Sequence, residues 1–140
     1  MYLTFWFSLS CLNFLDIFLF HYETGADFDS IIKKVKNSGK KVGIAINPET
    51  ELKVILRFLN KIDVVLIMSV VPGKSGQKLI WEMLDKVNLL YAYRKHNNLE
   101  CLIDIDGGVN SDNAEPISSD ILTSASAILN ADDPNAIIQS

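Results

Sequence analysis

Cys101-Leu-Ile-Asp-Ile-Asp-Gly-Gly-Val109 is the stretch that decides the fold. Cys101 to Ile105 reads as a buried strand ending in a carboxylate, Asp106, and two glycines. A carboxylate at the C-terminal end of a parallel strand faces the mouth of an α/β fold, where ligands bind. Gly107 and Gly108 would let the backbone come close to a ligand and turn N–H groups toward an anion. Val64 to Val70 repeats the pattern as an apolar, β-branched run that opens into Pro72-Gly-Lys-Ser-Gly-Gln77. Two such junctions predict a phosphate-bearing ligand beside an acid/base carboxylate.

The same alternation extends in both directions. Asp16 to His21, Lys41 to Asn47, Asp63 to Val70, Leu99 to Ile105 and Ile121 to Ser124 read as strands. Between them, Phe28, Ile31, Ile32 and Val35 have helical spacing, and Gly39 stops that helix. Leu52, Ile55, Leu56 and Leu59 predict a second helix, and Gln77 to Lys95 a long third, with Ile80, Met83, Leu84, Val87, Leu90 and Tyr91 on one face. Ser111 to Ile117 is expected as a short helix capped by Asn110 or Ser111, and Pro134 to Gln139 as a closing helix. Alternating strands and helices, with continuously apolar strands, specify a parallel sheet covered by helices. About five βα units are visible, whereas a closed (β/α)8 barrel needs eight units and about 250 residues. The expected fold is therefore α/β, a partial barrel or else a small open sheet.

The 140 residues fit one domain, and a net charge of -4 with scattered Lys and Arg excludes a nucleic-acid surface. Cys11 and Cys101 lack metal-type spacing, which favours a reducing, cytoplasmic setting over a disulfide scaffold. Met1 to Phe20 is almost wholly apolar. It has no basic n-region or small-residue cleavage site, and Asp16 would be costly in lipid, so a membrane or signal segment is disfavoured.

Leu66-Ile-Met-Ser-Val-Val-Pro-Gly-Lys-Ser-Gly-Gln77 resembles the sixth-strand signature of ribulose-phosphate 3-epimerases and the related allulose-6-phosphate epimerases. Ile103 to Asn110 resembles their seventh strand and its loop, and Thr123 to Ile128 their eighth-strand phosphate loop. His21-Tyr-Glu-Thr24 and Gly43 to Pro48 are similar to strands four and five. The resemblance covers residues 16–138 and implies a TIM-barrel type fold, partial, with about strands 4 to 8. Residues 1–15 form an apolar segment outside it, and 16–140 a partial sugar-phosphate-binding barrel.

What the resemblance implies is inversion at C3 of a ketose phosphate, ribulose 5-phosphate to xylulose 5-phosphate, through an enediolate. That chemistry needs carboxyl groups on opposite faces and a divalent metal, zinc, iron or manganese. Asp106 matches the strand-seven carboxylate, both acid/base and metal ligand. Met68 matches a residue lining the reacting carbon. Gly73, Lys74, Ser75, Gly76, Gly107, Gly108, Ala125 and Ser126 match the loops around the sugar phosphate. The family's other metal ligands, two histidines and an aspartate on strands two and three, have no counterpart here, so this chain alone is not expected to hold the metal. Lys74-Ser75 stands where an aromatic-glycine pair is usual. A truncated, inactive remnant that binds a sugar phosphate is the alternative, and open strand edges predict self-association or a complementing barrel fragment.

Several residues carry a plainer reading. Asp104 shares a strand face with Asp106, as a dyad or as an interior residue paired with a cation or water. His21 reads as a hydrogen-bonded interior histidine, not a ligand. Met68 is core or site lining, Lys74 a phosphate contact or a solvated lysine, and Cys101 a small apolar residue.

Overall fold

The computed structural model describes residues 16–73 and 76–135. The expectations for residues 1–15, for Lys74 and Ser75, and for most of the closing helix lie outside them. Five strands form one sheet: β1 (Ile17–His21), β2 (Lys41–Ile46), β3 (Val64–Met68), β4 (Leu102–Asp106) and β5 (Ile121–Thr123). They lie in chain order, each parallel to the next. Every connection between neighbours is thus a crossover, as parallel pairing requires. Of the two architectures that the strand–helix alternation allows, this is the partial (β/α)8 barrel, the one that the resemblance implies.

The pleat sorts the side chains. Val42, Ile44, Ile46, Val65, Ile67, Ile103 and Ile105 point outward into the core beneath the helices and are essentially inaccessible. Their neighbours point to the inner face in rows across the sheet: Gly43, Val64 and Leu102; then His21, Ala45, Leu66, Asp104 and Ile121; then, at the mouth, Met68, Asp106 and Thr123. Leu19 and Leu102 remain 41% and 38% exposed on this inner face.

Helix α1 (Phe28–Asn37) starts where Asp27 accepts from the Ser30 N–H and buries Phe28, Ile32 and Val35. Helix α2 (Glu82–His96) buries Met83, Val87 and Leu90. It begins five residues later than its spacing predicts, and Tyr91 is exposed beneath Arg94. The helix expected around Leu52 to Leu59 is two 3-10 turns, Leu52–Val54 and Leu56–Phe58. Leu52, Ile55 and Phe58 are buried at a spacing of three, which a three-residue turn places on one side. Residues 111–117 form turns, not a helix. The Asn110 side chain accepts from the Asp112 N–H, and the Asn113 side chain from the Asn110 N–H. Such local bonds compete with helical ones. A single turn, α3 (Ser126–Leu129), follows β5.

Two aspartates fasten the other end of the sheet. Asp63 accepts from the Val42 N–H and Asp120 from the Ile103 N–H. Arg94 from α2 pairs with Asp120 and also donates to the Cys101 carbonyl.

Candidate active site

Asp106 is the last residue of β4, paired with Met68 on one side and Thr123 on the other. It is half-buried, and burial pushes its carboxyl above the ordinary range. Asp104 lies one row deeper and is 7% exposed. The Thr123 hydroxyl donates to its two oxygens at 3.0 and 3.2 Å. Burial pushes Asp104 up to about 6, helped by the charge of Asp106 and opposed by the Thr123 bond. The two carboxylates therefore share a face, with the inner one already engaged by a hydroxyl.

The loops after β3, β4 and β5 meet at this end. The Ser69 hydroxyl donates to the carbonyls of Asp106 and Gly107 at 2.9 and 2.6 Å, and its N–H to Asp106 at 2.8 Å. Asn113 donates to the Gly108 carbonyl at 2.8 Å, and Ser124 to that of Val109 at 2.7 Å. Thr123 leads through Ser124 into Ala125 and Ser126, the last opening α3. Gly73 and Gly76 are exposed beyond β3.

The two glycines after Asp106 have a role that the strand-end pattern did not reveal. Gly107 and Gly108 adopt φ of +121° and +69°. A Cβ on Gly107 would stand 2.4 Å from Val70 Cγ2, and one on Gly108 2.3 Å from the Leu79 nitrogen. The space they leave is filled by the chain's own β3–α2 loop. At these two positions the glycines serve close packing of one loop on another.

The donors present do not fit a metal centre: among the described residues, no three His, Cys, Asp or Glu side chains gather into one. His21 Nδ1 lies 3.4 Å from Glu23 Oε2, and the His21 side chain, on the inner face of the sheet, is 43% exposed. His96 is exposed on α2. Cys101 is buried, and burial pushes its thiol up, as suits a packing residue. An apolar groove of about 410 Å³, lined by Leu52, Leu56, Leu89 and Tyr93, lies on the helical side and includes none of the mouth residues.

Ser69 and Thr123 were not singled out by the sequence. Their positions follow from strand register, which pairs Thr123 with Asp106. A serine directly after an apolar strand was the one available signal for Ser69.

The model of the ribulose-phosphate 3-epimerase family matches residues 11–129. A ribulose-phosphate 3-epimerase of Buchnera aphidicola is 39% identical over 120 residues, covering 84% of this chain and 53% of that protein. Those of Schizosaccharomyces pombe and Mycobacterium tuberculosis are each 35% identical, over 125 and 122 residues, covering 87% and 85% of this chain and 53% of each relative. The chain spans about half the length of the curated relatives it matches.

Proposed function

Because this chain belongs to the ribulose-phosphate 3-epimerase family, we propose that its mouth forms the phosphate-side portion of a ketose-phosphate C3-epimerase site. The observation that carries this reading is the meeting of three strand-end loops around a half-buried carboxylate, Asp106. Exposed backbone at Gly73 and Gly76, with the turn at Ala125 and Ser126, offers N–H groups to a phosphate. Met68, beside Asp106, lines the ketose carbons. A sugar phosphate is thus the partner. The free, buried Cys101 supports a cytoplasmic setting.

The C2 carbonyl of ribulose 5-phosphate acidifies the C3 proton. Asp106 takes that proton from one face, leaving an enediolate and a protonated carboxyl. Returning it to the same face regenerates ribulose 5-phosphate. Inversion needs a donor on the opposite face, and Asp104, on the same strand and the same face, does not provide it. Loss of one general acid costs about 10²–10⁴-fold. The described donors do not fit the family's divalent metal. The purified chain should bind ribulose 5-phosphate without converting it to xylulose 5-phosphate, with or without added zinc, iron or manganese. A coupled assay for xylulose 5-phosphate, run beside NMR detection of deuterium entering C3, tests this. Robust turnover lost in Asp106→Asn would show that this chain supplies the second face, and absence of ligand binding would remove the site itself.

A further inference from the structure

Residues 47–50, the turn that leaves β2, are gripped from two sides at the mouth end of the sheet. From the β1 side, Glu23 Oε1 accepts the Asn47 N–H at 2.8 Å and also the Thr50 hydroxyl. From α2, Lys86 donates to the carbonyls of Pro48 and Thr50 at 2.8 and 2.7 Å. We propose that Glu23 is a positioning residue for the ketose-phosphate site, holding residues 47–50 as a wall of the mouth, with Lys86 as its counterpart. This rests on the ligand-binding reading above.

Register places the wall. Ile46 pairs with Ile67, so Asn47 follows on beside Met68, which pairs with Asp106. Asn47 has the same strand parity as Gly43 and Ala45, on the inner face. At about 4.8 Å per strand it stands about 10 Å from Asp106 along the mouth row. Glu23 fixes Asn47 by its own backbone N–H, so the loop cannot turn away without breaking that bond.

The cost of the arrangement points to function. A carboxylate and an ammonium are both partly withdrawn from water to hold one four-residue turn. Apolar residues of similar volume often hold such a place as well or better. Two acceptors, Glu23 Oε2 and Asn47 Oδ1, are buried without a hydrogen-bond partner, and the His21 Nδ1 at 3.4 Å is too distant to serve Oε2 well. Buried unmet acceptors reduce stability. Burial lowers the Lys86 ammonium, opposed by the nearby Glu23 charge. A polar cluster that costs stability yet fixes one turn beside the Asp106 row suits a positioned binding wall.

Calorimetric titration of ribulose 5-phosphate into the purified chain tests this, alongside thermal melts of Glu23→Ala, Glu23→Gln, Thr50→Val and Lys86→Met. At a temperature where it is folded, Glu23→Ala should bind about 10-fold more weakly. Glu23→Gln, which keeps an acceptor for the Asn47 N–H and the Thr50 hydroxyl, should recover to within about threefold of wild type. Thr50→Val, which removes a single donor from this part-buried contact, keeps the test open if Glu23→Ala fails to fold, and it too should weaken binding. If Glu23→Ala or Thr50→Val melts earlier but binds as wild type does, the clamp is structural only and the proposal is overturned. A wild-type chain that does not bind overturns the ligand-binding reading, and this inference with it.

Discussion

Gly108→Ala separates a glycine kept for a ligand from one demanded by the chain's own packing. At φ +69° an L-residue pays about 1–2 kcal/mol for the left-handed conformation. The new Cβ would also stand 2.3 Å from the Leu79 nitrogen and 2.7 Å from the Lys78 carbonyl carbon. These are backbone atoms, so no rotamer change relieves the overlap, and overpacking of this kind adds about 1–3 kcal/mol. The expected loss is about 2–5 kcal/mol. Gly25 provides the control: its φ is +65°, but nothing lies within 4 Å of its missing Cβ. Gly25→Ala should therefore lose only the conformational part. Gly107→Ala meets a side chain, Val70, so adding Val70→Ala should recover part of its loss. Urea unfolding followed by circular dichroism, at unchanged m-value, measures all four variants. If Gly108→Ala and Gly25→Ala agree within about 0.5 kcal/mol, a uniform left-handed penalty accounts for both, and the packing of the β4 loop on the β3–α2 loop is refuted.

Burial raises the Asp104 carboxyl to about 6, so the folded state favours its protonated form. The stability it contributes is full below about pH 4 and is lost as pH rises through about 6. Asp104→Asn should match wild type near pH 3.5 and exceed it by up to about 3 kcal/mol at pH 8, read from paired urea melts in metal-free buffer. Arg94→Ala removes the partner of Asp120 and leaves the Cys101 carbonyl without its donor, so a loss of about 1–3 kcal/mol is expected in thermal or urea melts. The partly exposed Leu19 and Leu102 on the inner face, with β1 at the sheet edge, should make the chain associate. Light scattering that reports a monomer at micromolar concentration contradicts this.

The strands were legible because parallel strands covered or partly covered on both faces are near-continuous apolar runs, as at Val64 to Met68. Helix α1 was legible from its spacing and from the αL stop at Gly39. The segment after Pro48 was misread because Leu52, Ile55 and Phe58 recur every three residues, a period close to helical but satisfied by 3-10 turns. The start of α2 was misread because residues 77–81 are taken up by the loop: Gln77 donates to the Val71 carbonyl, and Leu79 packs under Gly108. At the site, Asp106 announces itself by its place before two glycines. Thr123, Ser69 and the Glu23 clamp do not, because hydrogen bonds between strand ends far apart in sequence carry no local pattern.

In the function proposed above, the loops after β3, β4 and β5 form one ketose-phosphate site around Asp106. Titration of ribulose 5-phosphate against the amide ¹H–¹⁵N spectrum tests it most directly. Saturable shifts should concentrate at Gly73, Gly76, Asp106 to Gly108, Ala125 and Ser126, and weaken in Asp106→Asn. Shifts scattered over the helical face, or none at millimolar ligand, would contradict it.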